Sequence, residues 1–140
     1  MKLKALLTAV AALLVGATFA VAEDDTPLAK EMSAMNKALR TVKRQAADPA
    51  KKADNLELIG KIKEHIANSL KLQPAKTKDQ PEAGKTGYLS KYEEQMKGLD
   101  KAVDELKTAI EAGKGDDAAK VFEKLGEIKE KGHKDFAPEE

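Results

Sequence analysis

The sequence predicts an all-α protein folded as an antiparallel up-down-up-down four-helix bundle. Three observations lead there. Four stretches of about 20 to 25 residues carry apolar side chains at helical spacing. No stretch alternates polar and apolar residues with period two, so there is no strand to place. The breaks between the stretches hold proline or glycine, two of them short and one long, as antiparallel neighbours require.

Thr26-Pro27 opens the first helix, with threonine as N-cap and proline at the first helical position, where its missing N–H costs nothing. Leu28, Met32, Met35, Leu39, Val42 and Ala46 then form the narrow seam of a helix packed in a bundle, and Asp48-Pro49 ends it. The second helix starts at Pro49 or Asp54 and runs to Leu72. It turns Leu56, Ile59, Ile62 or Lys63, Ile66 and Leu70 inward, before Gln73-Pro74 stops it. Residues 74–86 hold two prolines, a glycine and alternating charges without apolar periodicity, and are expected as an exposed loop. A third helix over about 87–112 presents Tyr88, Tyr92, Met96 or Gln95, Leu99, Val103, Leu106 and Ile110, with Gly113 as its C-terminal stop. Asp116 or Asp117 caps the fourth helix, which presents Ala118, Val121, Phe122, Leu125, Ile128, Gly132, His133 and Phe136 before Ala137-Pro138 ends it.

Ahead of these helices, Lys2 and Lys4 precede an apolar run that closes on Ala20-Val21-Ala22. That order of basic, apolar and small residues reads as a cleavable export signal over 1–22, leaving 23–140 as one exported domain. Acidic residues follow the small-residue triplet directly, without the positive flank of a stop-transfer segment. Loss of Lys2 and Lys4 leaves 23 basic against 24 acidic side chains, a net charge of −1. Such balance argues against a nucleic-acid surface or a cationic membrane binder. With 0 cysteines there is no disulfide framework, no thiolate metal site and no covalent haem attachment. Stability rests on helix packing.

The side chains that carry chemistry sit at one end of the predicted bundle. His133 lies about 20° from Phe122 at 100° per residue, so it is expected on the inward face of the last helix. Up-down topology brings the start of the first helix and the end of the fourth together, with the start of the third, so Met32, His133, Tyr88 and Tyr92 cluster. Met32 lies about 7–8 Å into its helix and His133 about 4–5 Å from the end of its own, at matching depth. A thioether and an imidazole on facing helices suit iron porphyrin, which accepts one axial ligand from each side. With both axial positions filled, the implied chemistry is one-electron transfer and not catalysis on a substrate. Against this, methionine is ordinary core filler, and an isolated histidine on an apolar face is ordinarily structural. His65 reads as a boundary residue with no carboxylate evidently opposed to it. No Ser-His-Asp set, phosphate loop or zinc motif is present.

The run Leu28-Ala29-Lys30-Glu31-Met32, continued by Met35-Asn36 and Leu39, resembles the opening of the cytochrome b562 family. Glu111-Ala112-Gly113-Lys114 and the stretch from Leu125 to His133-Lys134-Asp135-Phe136 resemble that family's last interhelical turn and ligand helix. The similarity covers essentially residues 23–140. It implies a haem b (iron protoporphyrin IX) held non-covalently, with Met32 matching the axial methionine and His133 the axial histidine. Tyr92 and Met96 fall where the family places two phenylalanines beside the haem. Lys129 falls where relatives have arginine or, when haem is covalently attached, cysteine. The resemblance thus implies a soluble periplasmic electron carrier, monomeric, serving a redox partner protein, with no nucleic acid and no membrane contact after signal cleavage. The other reading is a haem-free exported bundle acting as a binding or stress-related module. Tyr92→Phe is expected to preserve or strengthen haem binding, since it restores the ring the family places there and removes a hydroxyl for which the sequence shows no buried partner.

Overall fold

The computed structural model describes residues 26–137; the predicted signal segment 1–22 and the expected start at Glu23 lie outside the described residues. Four helices follow in order: α1 Pro27–Gln45, α2 Lys52–Leu70, α3 Glu82–Glu111 and α4 Gly115–Phe136. Short 3-10 turns at Pro49–Lys51 and Ala75–Asp79 precede α2 and α3. The described residues contain no strand, and the all-α four-helix bundle expected from periodicity is what forms.

Cross-helix bonds establish the antiparallel order. The start of α1 meets the end of α2 through Glu31 and His65, and the end of α1 meets the start of α2 through Gln45 and Asn55. Tyr92 near the start of α3 bonds the carbonyl of Ser69 at the end of α2, while Lys63 pairs with Asp100 and Asp104 farther along. Gln95 and Glu105 of α3 bond Ile128 and Lys124 of α4 in descending order.

Local chemistry explains most of the boundaries. Thr26 caps α1 by accepting the Ala29 N–H at 3.1 Å. Gly113 ends α3 in the left-handed region at φ 68°, where a Cβ would be strained. Lys52 Nζ donates to the Glu111 carbonyl, meeting one of the acceptors that the end of α3 leaves open.

Three boundary and facing expectations change. The third helix begins at Glu82, five residues before the expected Gly87, and a 3-10 turn occupies part of the supposed loop. The Pro81 carbonyl accepts from Gly84 and Lys85, and Lys85 pairs with Glu82 at 2.8 Å. These first turns are largely exposed, so apolar periodicity, which reports burial, says nothing of them. On α2 the buried ridge is Asn55, Ile59, Ile62, Ile66 and Ser69, whereas Leu56 is half-buried and Leu70 is 39% exposed. Polar Asn55 and Ser69 are buried because each is bonded, Asn55 to Gln45 and Ser69 Oγ to the His65 carbonyl at 2.7 Å. The fourth helix starts at Gly115 with Lys114 at the N-cap, leaving Asp116 and Asp117 within the first turn, where their charge favours the helix dipole.

The core is unevenly distributed. Fully buried Ile59, Ile62, Ile66, Val103 and Leu106 belong to α2 and α3, whereas α1 buries only Met35 and Val42 and α4 only Ala118, Val121 and Leu125. α1 packs on α2, α2 on α3 and α3 on α4, but α1 and α4 do not make a comparable interface. Ile62→Ala should therefore lower stability by about 2–5 kcal/mol, the cost of a cavity in the best-packed seam. Urea denaturation checks it, and a loss below about 0.5 kcal/mol would show that α2 can collapse into the gap.

Candidate functional site

The seam between α1 and α4, the least closely packed neighbouring pair, is the side to which helix steps direct Met32 and His133. On α1, Glu31 and Gln45 lie about 40° and 80° to one side of buried Met35, and both bond α2. Met32 and Leu39 lie about 60° and 40° to the other side, away from α2. On α4, Lys124 lies about 100° to one side of buried Leu125 and pairs with Glu105 of α3 at 2.8 Å. Lys129, Phe122 and His133 lie about 40°, 60° and 80° to the other side, away from α3. Each helix thus turns its candidate ligand to the flank its tight partner does not cover.

Burial agrees with that placement. Leu28, Met32, Leu39, Phe122, Ile128 and Phe136 pack on the core yet remain only partly buried. His133 is exposed, which corrects the expectation of an inward-facing histidine. The helical wheel gives only a direction, and a side chain on that flank is covered only where α1 and α4 stand close, which they do less than the other neighbouring helices. Lys129, one turn earlier, is likewise exposed.

Behind the seam stands α3. Tyr92 and Met96 are buried, at 5% and 3% exposure, one turn apart. Of the two alternatives at that level, Met96 is in the core, and Gln95 is half-buried with its Nε2 donating to the Ile128 carbonyl at 2.6 Å. A Cβ on Gly132 would stand 3.3 Å from Gln95 Nε2, so glycine lets α4 approach α3 closely here. Phe136 sets its ring edge-to-face against Tyr88 and Tyr92, with centroids 5.3 and 5.5 Å apart. That contact anchors the turn of α4 carrying His133.

The Tyr92 hydroxyl has a buried partner after all. It donates to the Ser69 carbonyl at 2.7 Å and so helps cap the C-terminus of α2, which overturns the supposition that the group is orphaned. Nor is His65 unopposed: its Nδ1 lies 2.7 Å from Glu31 Oε2. The two residues are 34 positions apart, and no spacing rule within one helix could have paired them.

The cytochrome b562 family matches this chain over residues 27–137, all four helices. The chain belongs to the cytochrome b562 family. Searches of curated proteins and of solved structures return no match. Membership points to a b-type haem-binding, electron-transfer cytochrome, and members are electron carriers, not typical enzymes. The chemistry of this cytochrome b562 relative is compatible with such a group: α1 and α4 carry partly buried apolar side chains and, by helix step, a thioether and an imidazole on the side of their seam. Among the described residues no cluster of three or more His, Cys, Asp or Glu side chains offers a competing metal site. No described helix is long and apolar enough to cross a membrane.

Two outcomes follow from the tyrosines. Burial pushes the Tyr92 phenol up to about 12, and burial followed by the charges of Asp135 and Asp79 raises Tyr88. Phenols raised on folding favour the native state while neutral, so that stability is whole below about pH 10 and lost as pH climbs towards about 12. Ultraviolet titration should show tyrosinate forming late and together with loss of helical circular dichroism; ordinary titration with the helix intact would contradict the burial. Tyr92→Phe should cost about 1 kcal/mol through the lost bond to Ser69, measured by denaturation of the haem-free protein. Unchanged or increased stability would mean that the hydroxyl contributes nothing.

Proposed function

We propose that this chain is a periplasmic electron carrier that holds haem b non-covalently between α1 and α4, with Met32 and His133 as the axial ligands. The observation that supports this most directly is the family match over residues 27–137, beside a wider α1–α4 seam on whose side the helix steps put Met32 and His133. Bound there, haem supplies a one-electron couple.

The chain's own residues divide the remaining tasks. His133 offers an imidazole nitrogen, the stronger donor, from a turn of α4 pinned to α3 by Phe136. Met32 offers the weaker thioether and, as methionine does elsewhere, raises the potential. Held by both residues, haem would supply electron transfer and not chemistry on a bound substrate. Tyr92 and Met96 form the wall on α3, and Leu39 and Phe122 exclude water from the deeper seam. Lys129 keeps a cation at the rim where a cysteine would permit a covalent link. Export by the segment 1–22, a monomeric state and a redox partner protein complete the proposal, with neither nucleic acid nor membrane engaged once the segment is removed.

Hemin titration of the purified protein and two variants tests the ligand assignment. Wild type should give a low-spin spectrum, and His133→Ala should nearly abolish binding. Met32→Ala should keep a weaker complex through His133 whose reduced form binds carbon monoxide. Met35 should not substitute, because it lies about 4.5 Å deeper along α1 and is already packed in the core. Equal binding by wild type and His133→Ala would overturn the assignment.

A further inference from the structure

The residue before Met32 is clamped to the neighbouring helix. Glu31 Oε2 lies 2.7 Å from His65 Nδ1, and the Asn68 amide donates to the same carboxylate at 3.4 and 3.5 Å. A carboxylate accepts, so His65 presents Nδ1–H to it. Both clamping residues stand on α2, one turn apart, and both partners of the short contact are about three-quarters shielded on their helices' facing flanks.

We infer that His65 is a positioning residue for Met32, acting through Glu31. This rests on the reading of Met32 as an axial ligand. Successive residues on a helix point about 100° apart, so holding Glu31 against α2 turns Met32 to the opposite flank, into the seam. The clamp carries unusual weight because α1 approaches α4 less closely than the other neighbouring helices approach one another, and the other polar tie between α1 and α2 among the described residues, Gln45 to Asn55, lies at the far end of the helix. Without the clamp the first turns of α1 are held by the Thr26 cap and by Leu28 and Met32 themselves on the core.

The clamp also belongs to a longer chain of contacts. The His65 carbonyl accepts from Ser69 Oγ, the Ser69 carbonyl accepts from Tyr92, and the Tyr92 ring meets Phe136, three residues beyond His133. The two candidate ligands are therefore tied together the long way round, through α2 and α3, while the seam between them stays free. His65 is the link on the Met32 side.

His65→Ala, Glu31→Ala, Glu31→Gln and, as a control at the far end, Asn55→Ala separate positioning from general support. In hemin-loaded protein, His65→Ala and Glu31→Ala should weaken affinity about tenfold, the low end of outer-shell effects. They should also diminish the ferric thioether-to-iron charge-transfer band and lower the midpoint potential. Glu31→Gln keeps an acceptor for Nδ1–H and should restore the band; Asn55→Ala should lower stability and leave band and potential unchanged. In haem-free protein, hydrogen exchange over the first two turns of α1 should quicken in His65→Ala and not in Asn55→Ala. Should His65→Ala not fold, Glu31→Ala and its glutamine rescue carry the same comparison. A band, potential and exchange pattern equal to wild type in His65→Ala or Glu31→Ala would overturn the positioning role while leaving the ligands standing. A wild-type protein that binds hemin without that band would instead remove Met32 as ligand, and the inference with it.

Discussion

Everything distinctive about this bundle depends on one interface that is made less closely than the others. Three helix pairs pack tightly and the fourth, α1 with α4, stands wider. A bundle of this size has only a small margin between apolar burial and chain entropy, so an incomplete interface must be offset elsewhere. Here the compensation is in α2 and α3, which contribute Ile59, Ile62, Ile66, Val103 and Leu106, most of the large fully buried side chains. The stable half of the molecule acts as a scaffold, and the outer helices lean on it from either side. A flat apolar cofactor entering the seam would cover Leu39 and Phe122 and contribute the burial that the fourth interface lacks.

Polar bonds do at the outer helices what packing does at the inner ones. Exposed lysine–glutamate pairs such as Lys61 with Glu57 add little to stability. The bonds that matter join different helices and have at least one shielded partner: Gln45 with Asn55, Glu31 with His65, Tyr92 with Ser69 and Gln95 with Ile128. Each fixes the rotation of a helix about its axis, which non-directional apolar contact sets only loosely. That rotation decides which side chains reach the seam. Glu31 ties the start of α1 to α2 beside Met32, and Gln95 with Phe136 ties the end of α4 to α3 beside His133.

The changes beside the seam are also coherent as packing. A tyrosine at position 92 keeps an aromatic ring facing Phe136 and uses its hydroxyl on the end of α2, so its polar atom is satisfied. Met96, unbranched and adaptable, fills the space one turn deeper. Without cysteine, retention of haem would rest on the two ligands and on apolar contact alone.

The amino-acid sequence by itself determined the fold class, the number and order of helices and the stop at Gly113, because periodicity and backbone chemistry are local. It also placed Met32 and His133 at one end of the bundle, since up-down topology is enough for that. The early start of α3 escaped it because exposed helical turns leave no apolar pattern. The burial of Asn55 and Ser69, the exposure of Leu70 and His133 and the partners of His65 and Tyr92 were decided only by the tertiary structure. Each depends on how far one helix stands from another and how it is rotated, and those distances are set by residues many positions apart whose contact no local pattern encodes.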